Sequence, residues 1–291
     1  MADELHSLIA QANQTALTGE RLGLTFAREL AKVWRDAEKE LRRLIERASG
    51  SSTDAIRATR AMVLKEQIRA ALERSGYDRL IAASTQASAE RMVEAVLSRA
   101  TVAEIVAFTA DVGDTIEALR QIASIDLFSQ GDEVATALWR SLSQQLFTTR
   151  PVSEIIADLA DALDREAKGV QTLYDTQVSV FGRQVESLKT QDLGPNQPFL
   201  YVGPIDDVTR PFCLEHAGKV WTREKIDAMD NEQLPNVFLT AGGYNCRHSW
   251  IAVESKELRA LTNTGERVPE IQADIARAQA RREMRKSRRA A

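Results

Sequence analysis

Apolar residues recur at alternating spacings of three and four through Ala27, Leu30, Trp34, Ala37, Leu41, Leu44 and Ala48. This is the seam of a heptad helix. Lys32–Asp36 and Glu38–Arg42 place opposite charges one turn apart on the other faces. The seam is narrow and its flanks are charged, so it buries little within one chain. Packing against a partner or a further copy of the chain therefore competes with an ordinary helical-bundle core. Gly50-Ser51-Ser52 ends this helix, Thr53 or Asp54 caps the next, and that helix runs to Ser75-Gly76. Helical patterns continue over about 78–99, 102–111, 115–129, 133–148 and 152–190, with a capping box at Thr101-Val-Ala-Glu104 and a break expected at Gly169. No repeat of fixed length is present.

The pattern changes near residue 195. Phe199–Gly203, Gly218–Thr222 and Ser249–Val253 read as strands, with a short helix over Arg223–Met229. Proline marks the same boundary. Residues 1–194 hold only Pro151, whereas residues 195–255 hold Pro195, Pro198, Pro204, Pro211 and Pro235. Proline interrupts helix interiors, so long helices stop at Gly194-Pro195-Asn196-Gln197-Pro198. Nine aromatic residues lie in 1–195, seven in 196–255, and none after Trp250. The expected fold is mainly α. An elongated multi-helix region over 1–194 leads into a small α+β domain of about three strands over 195–255. A basic tail or helix over 256–291 follows, which Pro269 is placed to start. A domain near 60 residues buries little core and favours a staple.

Composition sharpens this picture in two places. No apolar run approaches membrane length, which excludes a spanning helix. The start, Met-Ala-Asp-Glu, lacks a basic segment leading into an apolar one, so the expected compartment is cytosolic. The net charge of −4 is an average of unlike parts. Residues 256–291 carry ten Lys/Arg against five Asp/Glu, which leaves −9 for residues 1–255. Arg277, Arg281, Arg282, Arg285, Lys286, Arg288 and Arg289 cluster with one acid, Glu283. Such a segment is either a solvated tail or a surface for nucleic-acid phosphates.

Four of the five Cys and His residues fall within 36 positions: Cys213, His216, Cys246 and His248. Thiolate and imidazole are the donors zinc prefers, and four of them close a tetrahedral site. In an extended segment Cys246 and His248 share a face while Arg247 points the other way. Unliganded buried thiols and a Cys213–Cys246 disulfide remain as alternatives. Asp206-Asp207 beside Arg210 suits a carboxylate–guanidinium site or a polar turn. Gly242-Gly243 lacks the Lys-Ser/Thr of a phosphate loop and reads as a tight turn into the last strand. No serine-hydrolase elbow, zinc-protease or dinucleotide motif occurs.

The segments Gly203-Pro-Ile-Asp-Asp-Val-Thr-Arg-Pro-Phe-Cys213, Gly218-Lys-Val-Trp-Thr222 and Gly242-Gly-Tyr-Asn-Cys-Arg-His-Ser-Trp250 resemble the C-terminal domain of the Mu F-like phage head morphogenesis family. The matching positions are Asp207, Thr209, Arg210, Cys213, Asn245, Cys246, Arg247 and His248. Stretches from Ser153 and Tyr174 resemble the helices that precede this domain; residues 1–150 match nothing in the family. The resemblance implies a virion protein of few copies, made in the host cytoplasm and placed in the head interior or at the portal vertex. Its partners would be the portal and major capsid proteins, with packaged DNA against the basic tail, and it would be no enzyme. Only 41 residues follow Trp250, too few for the toxin or enzyme domain that some relatives add. Within this reading Cys213, His216, Cys246 and His248 hold the small domain, with or without zinc, and Asp207 and Arg210 fix its first turn. A zinc-dependent nuclease using Asp207 and His248 as acid and base is the enzymatic alternative. A cytosolic helical scaffold is the third.

Overall fold

A computed structural model describes residues 2–49, 54–98, 100–145, 151–194 and 196–290. Five long helices come first: α1 (Ala2–Ser49), α2 (Asp54–Arg74), α3 (Tyr77–Val96), α4 (Val102–Gln145) and α5 (Val152–Lys189). Short elements follow: β1 (Pro198–Val202), α6 (Pro211–His216), β2 (Val220–Thr222), α7 (Arg223–Asp227), α8 (Val237–Thr240), β3 (Ser249–Ala252) and α9 (Lys256–Ala260). The last helix is α10 (Pro269–Ala290). The fold is mainly α with one small antiparallel sheet, ordered β2-β1-β3. Among the described residues no helix is long and apolar enough to cross a membrane.

Three expected breaks do not occur. The patterns at 102–111, 115–129 and 133–148 are one continuous helix as far as Gln145, and α5 runs unbroken through Gly169. A glycine inside a helix costs only about 1 kcal/mol, which packing outweighs. At Gly131 the packing is visible: a Cβ there would stand 2.8 Å from Cε1 of Tyr77. The Tyr77 hydroxyl donates to the Leu127 carbonyl at 2.9 Å. The glycine is a seat for an aromatic ring. The expected stop at Gly50-Ser51-Ser52, the cap at Thr53, the last residues of 133–148 and Pro195 lie outside the described residues.

The chain divides into two compact units, and they do not follow the boundaries expected after residues 194 and 255. One unit comprises Arg21–Ser88 and Ala118–Tyr174. Its core takes the heptad seam of α1: Leu30, Trp34, Ala37 and Leu41 are buried, with Phe26 and Ile45 on the same stripe. The Trp34 indole donates to the Leu163 carbonyl at 2.8 Å, and the Phe26 ring stacks on Tyr174 at 3.9 Å. Of the two readings open for this seam, the residues named here take the bundle core, covered by the chain itself. On the exposed side Arg42 pairs with Glu38 as expected, while Lys32 pairs with Glu29 in place of Asp36.

The other unit comprises Met1–Glu20, Ala89–Glu117 and Asp175–Ala291. The Thr101–Glu104 capping box forms, with Glu104 accepting from the Thr101 N–H at 2.7 Å and Thr101 Oγ1 accepting from the Glu104 N–H at 3.3 Å. The small sheet lies in this unit, and its core draws on both flanking regions. Leu5, Leu8 and Ala12 of α1 pack with Phe199–Val202 of β1 and with Leu258, Val268, Ile271 and Ile275. The Glu4 carboxylate accepts from the backbone N–H groups of Glu254 and Ser255. The expected basic tail is therefore a helix whose apolar face completes the core. Proline marked where long helices stop, but it carries no information about which distant stripes join the sheet.

Truncating that face is expected to destabilise the unit. Ile275→Ala should cost about 2–5 kcal/mol, while Met284→Ala, on the exposed side, should stay within about 0.5 kcal/mol. Urea unfolding of both variants checks this. A second expectation concerns Glu186, buried in α5, whose carboxylate accepts from the Gln11 amide at 3.0 Å. Burial pushes its carboxyl up, against contacts with Lys189 and Gln11. The folded state then holds the proton to higher pH than the unfolded chain does. Stability should fall as pH rises above the ordinary glutamate value of about 4.3 and through the raised one. Glu186→Gln should flatten that slope, so the urea midpoints of wild type and variant should diverge in the variant's favour from pH 4 to pH 7.5.

Candidate functional site

The central strand β1 is buried along its length. Tyr201 pairs across the ladder with Trp250 of β3, and their rings lie 4.3 Å apart. Cys246, His248 and Trp250 alternate along one extended approach to β3, so they share a face. His248 stacks on the Tyr201 ring at 5.2 Å and 18°. Pro211 opens α6 just after Arg210, which is extended, and the helix presents Cys213 to the same spot. The two sulfurs are 3.6 Å apart, and both cysteines are free and buried. Tyr201 Oη lies 3.4 Å from Cys213 Sγ and 3.6 Å from Cys246 Sγ. His248 Nδ1 is 4.0 Å from Cys246 Sγ. The potential ligand atoms of Cys213, Cys246 and His248 lie within 4.8 Å of one another, a grouping that could hold one metal ion.

His216 is not in this group. Its ring packs on Phe212 at 4.5 Å and meets the edge of Tyr201 at 6.5 Å. Burial lowers the His216 pKa, and its Nδ1 has no partner. Two glycines make the approach possible. A Cβ on Gly242 would collide with Cys213 Sγ and stand 3.1 Å from Cys246 Sγ. A Cβ on Gly203 would stand 2.7 Å from His248 Cα.

Beneath the cluster lies Arg183 of α5, only 4% exposed. Its guanidinium donates to the carbonyls of Cys246 at 3.0 Å, His248 at 2.9 Å and Leu239. Burial pushes its pKa down, and the Cys246 sulfur works in the opposite direction. The two sulfurs lie within hydrogen-bond reach of each other. The hydrogen bond between them pushes the Cys213 thiol up and holds Cys246 down, with His248 and Arg183 adding to the second effect. Burial and the neighbouring sulfurs raise the Tyr201 phenol well above its ordinary value.

The loop before α6 is held by different residues from those expected. Asp206, not Asp207, forms the turn with Thr209: the Asp206 N–H donates to Thr209 Oγ1 at 2.8 Å, and that hydroxyl donates back to Asp206 Oδ1 at 3.1 Å. The Asp206 carboxylate also pairs with Arg247, which reaches Glu20 at 2.8 Å on its other side. Burial opposes it, yet Arg247 and the turn hydrogen bonds keep the Asp206 carboxyl below its usual value. Arg210 pairs with neither aspartate; its guanidinium donates to the Gly242 carbonyl at 2.8 Å. Asp207 instead meets Arg285 at 2.7 Å and Arg281 at 3.5 Å. Arg282 donates to the carbonyls of Asp206, Asp207 and Thr209.

Other expected positions serve the turn into β3. Gly243 has φ +90°, and Asn245, at φ 53°, donates its N–H to Thr176 Oγ1 at 3.1 Å. Arg277 pairs with Asp274, and the side chains of Lys286, Arg288 and Arg289 lie outside the described ones. Arg183 and Tyr201 escaped the sequence reading, because an arginine in a long helix reads as surface and a tyrosine in a strand as core. Asp206 was recoverable from local rules, since an aspartate three residues before Thr209 is placed to form a turn with it.

Comparison of the chain with protein families, with curated proteins and with solved structures finds no match in any of the three.

Arg183→Met would leave three buried carbonyls without their donor, at about 1–3 kcal/mol each. That approaches the whole stability of an ordinary domain. The variant should unfold at far lower urea than Arg277→Met, whose side chain is exposed.

Proposed function

We propose that the chain is a minor head protein of a tailed phage, with a structural role at the head interior or portal vertex. The observation that carries this reading is the mutual closure of the two segments that resemble the Mu F-like family. Arg210 of the first donates to Gly242 of the second, Asp206 pairs with Arg247, and Cys213 meets Cys246. Residues of the two segments therefore fasten one segment to the other.

The same geometry supports a structural role over a nuclease. His248 is 2% exposed, and Asp207 is neutralised by Arg281 and Arg285. A nuclease needs an accessible metal and base. The portal and major capsid proteins are the partners this reading assigns, with assembly in the host cytoplasm. Packaged DNA is assigned to the outer face of α10, where Arg277 and Arg285 keep 64% and 71% of their side-chain surface exposed despite their ion pairs. Such contact would be independent of base sequence and weaken steeply with salt.

Mass spectrometry of purified particles from the encoding phage tests the reading, combined with cross-linking to the portal protein. Low-copy peptides of this chain in mature heads, cross-linked to portal, are expected. A chain that stays in the lysate while complete heads form is a cytosolic scaffold, and that outcome removes the proposal.

A further inference from the structure

We infer that Cys213, Cys246, His248 and the phenol of Tyr201 form a tetrahedral site for a zinc-class dication that staples the small sheet to α6. This assignment is independent of the head-protein reading. Its ligand set differs from the four Cys and His residues suggested by spacing: Tyr201 takes the place of His216.

Distances carry the argument. Zinc–sulfur bonds of about 2.3 Å and a zinc–oxygen bond of about 2.0 Å in a tetrahedron put sulfurs about 3.8 Å apart and sulfur and oxygen about 3.5 Å apart. The observed separations are 3.6 Å between the sulfurs, and 3.4 and 3.6 Å from the phenol oxygen to each. The imidazole of His248 closes the group from the strand side, 4.0 Å from the nearer sulfur. His248 is 2% exposed, its Nδ1 faces Cys246 Sγ and its Nε2 has no partner, so the only side-chain polar contact of this buried ring is with a thiol. Such an under-satisfied buried ring is uncommon, and a ligand bond to a metal would satisfy its Nδ1.

The surroundings fit a metal in two further ways. Gly242 leaves open the space that a Cβ would take beside Cys213 Sγ, 3.1 Å from Cys246 Sγ and 3.5 Å from Tyr201 Oη. Arg183 brings a full positive charge under the cluster, with carbonyl partners only among the described residues. Two thiolates and a phenolate balance a dication together with one guanidinium, so the buried site as a whole is neutral. Soft thiolates with imidazole select zinc over magnesium or calcium. A sheet whose strands are five, three and four residues long also gains most from such a link.

The test is metal content and metal-linked stability of the full chain, purified without chelator. Elemental analysis should give one zinc per chain for wild type and for His216→Ala, and none for Cys213→Ser or His248→Ala. Removing even an outer-shell partner costs about 10–100-fold in affinity, so Tyr201→Phe should bind zinc at least about 10-fold more weakly. Variants that fail to fold are bypassed in the wild type itself. Chelator should lower its unfolding midpoint, added zinc should restore it, and cobalt should give a thiolate charge-transfer band with tetrahedral d–d bands. Three results would each overturn the assignment. One is a wild type without zinc and indifferent to it. Another is a Cys213–Cys246 disulfide, seen as a mass two hydrogens lighter. The last is loss of metal in His216→Ala together with full retention in Tyr201→Phe.

Discussion

A guanidinium removed from water without a carboxylate beside it is costly unless other acceptors take its N–H groups. Arg183 has three such acceptors, carbonyls from two separate stretches, Leu239 at the end of α8 and Cys246 and His248 before β3, while its Nη2 has no partner. Those carbonyls belong to backbone with no regular ladder of its own, in a region where Asn236, Ala241, Gly243 and Asn245 all have positive φ. The arginine stands in for the missing secondary structure. Once the backbone is pinned there, Cys246 and His248 have one available direction, and it leads to Tyr201 and Cys213. The side chains of the cluster thus depend on a cation that contacts their backbone.

A parallel device holds the loop before α6. Arg282 donates to three carbonyls of one turn, those of Asp206, Asp207 and Thr209, while Arg281 and Arg285 neutralise Asp207. The arginines of α10 are spaced so that one face of the helix serves the loop, while Ile271, Ile275 and Ala278 serve the core. A run of basic residues that looks like a nucleic-acid arm by composition is, over part of its length, internal scaffolding. The charge separation between −9 and +5 has the same physical content. The acidic body supplies partners, Asp207 among them, that the basic helix satisfies.

Local rules were legible in the sequence and distant ones were not. Strand alternation placed Cys246 and His248 together with Arg247 turned away, because that geometry is set by neighbouring residues alone. The capping box at Thr101 is equally local. Proline correctly marked where long helices stop. It did not reveal that Leu5 and Ile275 meet in one core, since stripes of that kind are common to every amphipathic helix. Gly131 failed as a helix breaker because its reason for being glycine, the ring of Tyr77, lies more than fifty residues away. Spacing proposed His216 as a fourth donor, but on α6 it packs against Phe212, and the position near the sulfurs goes to a strand residue of another chemical type.

The meeting of Leu5, Leu8 and Ala12 with Val268, Ile271 and Ile275 has a kinetic consequence. The sheet and its cluster are encoded in about sixty consecutive residues, yet their hydrophobic cover comes from positions more than 250 residues apart. During synthesis α1 emerges early and has to wait, with one stripe uncovered, until α10 has left the ribosome. Loops of that length close slowly, and the waiting surface invites association with other chains. The unit of Arg21–Ser88 and Ala118–Tyr174 has all its residues synthesised by residue 174, so it can begin to form first. Growth of the chain therefore imposes an order of assembly, in which the buried thiols come together last.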